Sequence, residues 1–270
     1  MALRVLVTND DGISAPGIRA LARTAVAHGL DVLLAAPLRD ASGTSAALTA
    51  VEHGAHVVVE EQSVEDLGLT GYGVAGSPGF ITLIALHGAF GPPPEVVLSG
   101  VNLGANVGQA VLHSGTVGAA LTAAINGCRA VAVSLDTMPS AEEVAGGGLA
   151  AAAADRPDDD ARHFDTAARF ALDLLPRLTA APPRSVFNVN APDRPYERVR
   201  GIRRGSLASF GQVQMTVAAT GSGFVRTALE ETGRPVEAGT DVSWLTQGYA
   251  SVTAIRAVSE VSEVDLSDLA

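Results

Sequence analysis

The run Arg4-Val5-Leu6-Val7-Thr8, ending in Asn9-Asp10-Asp11-Gly12, constrains this chain more than any other feature. Aliphatic and β-branched residues without alternation read as a strand buried on both faces. Two adjacent carboxylates followed by glycine read as a polar loop at its end. Pro16-Gly17 then opens a segment whose apolar positions Ile18, Leu21, Ala22, Ala25 and Val26 share one helical face, and Gly29 closes it. Residues 31–36 form a second buried strand, followed by a polar loop over 37–45. This β-loop-α-β opening predicts an α/β fold: an open, mostly parallel, Rossmann-like sheet whose functional loops gather at the carboxyl ends of the strands.

The pattern recurs. A strand is expected over 95–99, a Gly/Asn-rich loop over 100–114, a small-residue helix over 115–126 and a strand over 130–135. Residues 80–87 read as a helix after Gly76-Ser77-Pro78. An amphipathic helix is expected from Phe164 to Leu178, and a strand over 185–190. Residues 138–162 hold three consecutive glycines, an alanine run and Asp158-Asp159-Asp160, and read as a mobile insertion. From Val199 the alternation becomes β-rich, with candidate strands over 213–218, 224–229 and 249–255 and Gly-rich turns between them. The expected organisation is an α/β catalytic core over 1–198, a hairpin-rich extension over 199–258 suited to oligomer contacts, and a loose acidic tail over 259–270.

Composition narrows the partners. The net charge of −11 repels a nucleic-acid polymer, while a small phosphorylated substrate at a local site remains compatible. Hydrophobic residues reach 47% but aromatics only 4%, so the core is built from Ala, Val and Leu. A single cysteine, Cys128, allows no intrachain disulfide and suits a reducing, cytoplasmic setting. Neither a signal peptide nor a membrane span is expected.

Three loops are expected to converge at one sheet edge, residues 9–12, 42–45 and 99–106, and a fourth, 113–116, opens a helix. Adjacent carboxylates repel unless a cation or proton intervenes. The other loops supply Ser and Asn oxygens and no thiolate, so the donor set selects a hard ion such as Mg²⁺, Mn²⁺ or Ca²⁺. Ser114-Gly115-Thr116 stands at a helix start, where free N–H groups bind an anion. Arg39 is the only basic residue in the vicinity, so a metal must neutralise most of the substrate charge. No P-loop, no Gly-x-Gly-x-x-Gly after the first strand and no nucleophile elbow is found, which weighs against an ATPase, a dinucleotide oxidoreductase and an α/β-hydrolase.

The motif from Val5 to Gly12 with Ala15-Pro16-Gly17 resembles the opening signature of the SurE survival-protein phosphatases. Ala36-Pro37 through Ser42-Gly43 to Leu48-Thr49 resembles their second loop. Ser99-Gly100-Val101-Asn102-Leu103-Gly104-Ala105-Asn106 and Ser114-Gly115-Thr116-Val117-Gly118-Ala119-Ala120 resemble the third and fourth. Asn188-Val189-Asn190-Ala191-Pro192, Gly239-Thr240-Asp241 and Gly248-Tyr249-Ala250-Ser251-Val252-Thr253 resemble later landmarks. The resemblance implies a 5′/3′-nucleotidase with one divalent cation per subunit, Mg²⁺ or Mn²⁺, assembled as a homodimer or homotetramer. It implies metal ligands Asp10, Asp11, Ser42 and Asn102, with Asn9, Asn106, Ser114, Gly115 and Thr116 around the phosphate. Gly76-Ser77-Pro78-Gly79-Phe80 departs from the family's usual Gly-Thr-Pro-Ala-Asp, so Phe80 replaces a carboxylate. The expected reaction is phosphomonoester hydrolysis by a metal-activated water, with Asp10 and Asp11 catalytic and His113 assisting the leaving oxygen. The alternatives are a phosphatase for another small phosphorylated metabolite and an inactive phosphate-binding homologue.

Overall fold

The structure is a computed structural model. It describes residues 2–53, 56–138, 161–209, 213–221, 224–231 and 235–258. The stretch expected to be a mobile insertion therefore lies, apart from its two ends, outside the described residues, as does the acidic tail.

The strands are β1 (Arg4–Thr8), β2 (Asp31–Pro37), β3 (Glu52–His53), β4 (His56–Val57), β5 (Val59–Val64), β6 (Leu69–Val74), β7 (Val96–Leu103), β8 (Arg129–Asp136), β9 (Val186–Pro192), β10 (Ile202–Arg204), β11 (Val213–Gly221), β12 (Phe224–Glu231) and β13 (Ala250–Ile255). The helices are α1 (Pro16–Ala27), α2 (Pro78–Leu86), α3 (Gly115–Ile125), α4 (Phe164–Asp173), α5 (Leu175–Ala180) and α6 (Asp241–Thr246). A nine-stranded sheet has the order β10-β13-β9-β8-β7-β1-β2-β6-β5. The run from β9 to β6 is parallel throughout, while β13 and β5 pair antiparallel with β9 and β6.

Both faces of the parallel run are covered. Alternate residues Val5, Val7, Leu34, Leu98, Val131 and Val133 bury against α1 and α4, through Ile18, Leu21, Phe164 and Ala168. Their neighbours Leu6, Leu33, Val97, Ala130 and Ala132 bury against α2 and α3, through Ile81, Val117, Ala120 and Ala123. Burial on both sides is why these strands read as continuous apolar runs. Alanine and other small residues dominate the face of α3, while α4 adds the buried rings of Phe164 and Phe170.

Several boundaries differ from the sequence expectation. The strand expected to stop at Ser99 runs on to Leu103, because pairing with β8 resumes at Asn102 opposite Ser134 after a register shift. The single helix expected from Phe164 to Leu178 breaks at Leu174, since Pro176 removes a backbone donor and is tolerated only in a first turn. The sheet continues past residue 198, because β10 and β13 both join it. Among the described residues, β11 and β12 pair only with each other, as an antiparallel hairpin. No helix among the described residues is long and apolar enough to cross a membrane.

Candidate active site

The chain leaves β1 for β2 on one side and later returns to β7 on the other. The carboxyl ends of β1 and β7 therefore flank a topological switch point, where open α/β sheets leave a crevice for ligands. Residues 9–12 follow β1, Asn102 lies one residue before the end of β7, and α3 begins nearby.

Asp10 is almost completely buried. Its Oδ1 accepts a hydrogen bond from the Thr116 hydroxyl. Gly115 is required directly beside it, because a Cβ there would stand 2.7 Å from Asp10 Oδ2 and 2.8 Å from its Cβ. The carboxylate is thus seated on the N-terminus of α3, where the helix dipole and free N–H groups favour negative charge. Burial nonetheless raises its pKa, with the hydroxyl and backbone N–H of Thr116 acting in the opposite direction. A carboxylate pushed up by desolvation gains most from a cation placed against it.

Thr116 Oγ1 also lies 3.2 Å from Asn102 Oδ1. One hydroxyl carries one proton, so it cannot satisfy both acceptors. Asn102 turns its amide N–H to Gly104 O, at 2.7 Å, which fixes its carbonyl toward Thr116 and Asp10. The result is a small, oxygen-rich group of Asp10, Asn102 and Thr116, with half-buried Asp11 next in the chain. Such a donor set fits a hard divalent cation. Among the described residues no three His, Cys, Asp or Glu side chains are grouped to hold a metal. The set built from the sequence is of another kind, two carboxylates completed by neutral oxygens.

The remaining site residues take different places. Asn9 is fully buried and its amide faces its own loop: Nδ2 donates to Gly12 O at 3.0 Å and Oδ1 accepts from Gly12 N at 3.2 Å. It fixes the turn that presents Asp10 and Asp11. Ser114 caps α3 by accepting from Val117 N at 3.1 Å. Ser42 is exposed on the second loop, and its hydroxyl donates to Asp40 Oδ1 at 2.5 Å. His113 is exposed just ahead of the cap. Phe80 lies half-buried in the first turn of α2 with its ring against Gly76, and Ser77 caps that helix. The same Ser77 hydroxyl donates to Ala47 O at 2.5 Å, so the turn pins the second loop.

Asn106 is held by side chains that the sequence offers only as landmarks or not at all. Its backbone N–H donates to Asn190 Oδ1 at 2.8 Å, and its carbonyl accepts from Asn188 and Asn190 at 2.8 and 3.0 Å. Its side-chain amide donates to Ser134 Oγ at 2.9 Å. Fully buried Asp241 anchors the next turn by accepting from Gly108 N at 2.8 Å and Ala208 N at 3.0 Å. Two asparagines spaced by two in an apolar strand were the available signal, since both must face one side and find partners there.

At the same edge, Asp136 closes β8. Burial pushes its pKa up to about 6, against the Met138 N–H and Arg194, which lower it; Asp193 adds to the rise.

The family model described as "Survival protein SurE" matches residues 5–216. The chain belongs to the SurE family. A protein named 5'-nucleotidase SurE from Actinobacillus pleuropneumoniae serotype 5b (strain L20) is 35% identical over 263 residues, covering 94% of each chain. One of the same name from Nitratidesulfovibrio vulgaris (strain DP4) is 33% identical over 261 residues, covering 94% of this chain and 93% of that relative. The crystal structure of the SurE protein from Aquifex aeolicus superposes with a TM-score of 0.72 at 27% identity, covering 98% of this chain and 97% of that one. The SurE match takes in all four loops at the sheet edge.

Proposed function

We propose that this chain is a divalent-metal-dependent phosphomonoesterase that hydrolyses nucleoside 5′- and 3′-monophosphates. The observation that carries this reading is the buried Asp10 carboxylate on the N-terminus of α3, joined through Thr116 to the Asn102 carbonyl at the switch point. The name borne by the SurE relatives supports the substrate class.

In this reading Asp10, Asp11, Asn102 and Ser42 hold one Mg²⁺ or Mn²⁺ per subunit. When bound, the cation neutralises phosphate charge and lowers the pKa of a water. For Ser42 to take part, its hydroxyl must exchange Asp40 for the cation, which one rotation of an exposed side chain allows. Thr116 spends its hydroxyl and backbone N–H on Asp10, so it acts as a positioning residue. The phosphate is received by the Gly115 N–H and by the Asn106 amide, which has a second hydrogen beyond the one given to Ser134. Ser114 holds the first turn of α3 in shape, and Asn9 does the same for the loop before Asp11. Asp10 orients the attacking water, and His113 stands at the mouth to serve the leaving oxygen.

We assign the molecule to the cytoplasm as a homodimer or homotetramer, with β11–β12 as the contact element. A two-stranded hairpin is marginal alone in water and gains stability from a neighbour.

The test is phosphate release from nucleoside 5′- and 3′-monophosphates, sugar phosphates and p-nitrophenyl phosphate, each with Mg²⁺, Mn²⁺ or EDTA. Metal-dependent turnover favouring nucleotides is expected. Turnover confined to other esters moves the assignment to a different phosphorylated metabolite, and none with any metal leaves a phosphate-binding protein.

A further inference from the structure

A cavity of about 540 Å³ lies beside the metal loop, and the hydrolysis derived above makes no use of it. Pro37, Leu38, Val51 and Val74 line it, together with Arg39 and Asp40. Its volume falls in the range of small-molecule sites, roughly 300–1,000 Å³. It shares a wall with the candidate active site. The backbone that supplies Arg39 and Asp40 continues to Ala41, whose N–H donates to the Asp10 carbonyl at 2.8 Å.

The chemistry of the lining is specific. Three backbone donors along it are consumed within the fold: Leu38 N by Val74 O, Val51 N by Ala75 O and Ser77 N by Thr49 O. What remains facing the space is mostly aliphatic, with the charged side chains of Arg39 and Asp40 and the hydroxyl residues Thr44, Thr49 and Ser77, of which Thr44 and Ser77 donate within the fold to Ala41 O and Ala47 O. Asp40 is engaged by the N–H and hydroxyl of Ser42, at 2.7 and 2.5 Å. Arg39 is exposed and has no ion-pair or hydrogen-bond partner among the described residues. A guanidinium binds a flat π-system by stacking and donates in its plane to ring nitrogens and carbonyls. Aliphatic walls with one free guanidinium suit a planar heterocycle better than a sugar, whose hydroxyls would find few partners there.

We infer that this cavity receives the nucleobase of the substrate, with Arg39 as its polar contact. The inference rests on the phosphomonoesterase reading for its placement and goes beyond it by assigning where the leaving group is recognised. The recognition is of a base in general, because the lining offers apolar walls, one adaptable cation and the rotatable hydroxyl of Thr49 rather than a fixed set of donors and acceptors.

The experiment fills the cavity. Val51 is 59% exposed, so Val51→Trp adds an indole from a loop position without displacing core. The readout is the ratio of kcat/KM for adenosine 5′-monophosphate to kcat/KM for ribose 5-phosphate, in the full chain with Mg²⁺ or Mn²⁺. The ratio is expected to fall at least about tenfold in Val51→Trp and in Arg39→Ala. An unchanged ratio in both variants overturns the inference. Calorimetric binding of adenosine, which has no phosphate, separates this from the phosphatase reading. Adenosine bound by the parent chain and lost in Val51→Trp supports the cavity even if no ester is turned over. Turnover of nucleotides with adenosine bound equally by both chains, or by neither, overturns the cavity and leaves the phosphatase standing.

Discussion

At the scale of single residues, the site depends on how Asp10 is held. Replacing it with Asn keeps the volume and the acceptor for Thr116 but removes the charge. Phosphate release is expected to drop by at least about a hundredfold with an unchanged melting temperature. An Asp10→Asn chain that still turns over and binds metal sinks the role given to this carboxylate. Thr116→Val preserves shape and removes the hydroxyl between Asp10 and Asn102. It should weaken divalent-cation affinity by about ten- to a hundredfold, read by metal titration of activity and by calorimetry. Asp136 gives a pH signature. Its folded pKa, about 6, lies above the ordinary value of 3.8. The stability it contributes is present in full below pH 4 and is lost as pH rises through 6. In EDTA, the parent chain should therefore lose stability relative to Asp136→Asn between those limits, by an amount on the order of 3 kcal/mol. Parallel melting curves across that range would remove Asp136 as the source. The loop carboxylates and the asparagine of β7 were legible in the sequence because their types follow buried strands. The use of Asn9 for its own turn was not legible, since it depends on which way one amide points.

At the scale of elements, the contact of α3 with the second loop explains why the helix is built of small residues. A Cβ at Gly118 would fall 2.2 Å from Ser45 O, so the loop backbone lies directly on the helix. Ser45 also donates to Leu112 O at 2.5 Å, tying that loop to the turn ahead of α3. Gly118→Ala should cost about 1–3 kcal/mol despite alanine's better helix propensity, and should raise KM by displacing Ser42 and Asp40. Unfolding in urea and steady-state kinetics check the two halves; a stabilised, fully active variant contradicts the packing. The β-loop-α-β opening, the helices on both faces and the β11–β12 hairpin were readable from periodicity. Others were not, among them β3 to β6, β10 and α6. Strand β5 reads Val-Glu-Glu-Gln-Ser-Val at a mostly exposed sheet edge, where little apolar signal survives. Strand β7 continues through glycine because of its partner β8, and the break at Leu174 depends on one proline two residues on.

At the scale of the whole molecule, the acidic balance and the described architecture fit a small-ligand enzyme that gains charge complementarity only locally. If β11–β12 forms the subunit contact, replacing it with a short Gly-Ser link should yield a monomer by sedimentation with the sheet intact by circular dichroism. A chain whose mass in solution does not change on that replacement places the contact elsewhere. The order of the sheet also bears on how the molecule is made. Asn188 and Asn190 fasten the third loop from β9, and β13 is the strand that covers that side of β9. Strand β13 is also the last described strand to leave the ribosome. Until it has emerged, the backbone edge of β9, the strand that carries Asn188 and Asn190, stays open. A nascent chain therefore reaches catalytic competence only once β13 has been made, and truncations that stop short of Ala250 should accumulate as inactive, chaperone-bound species.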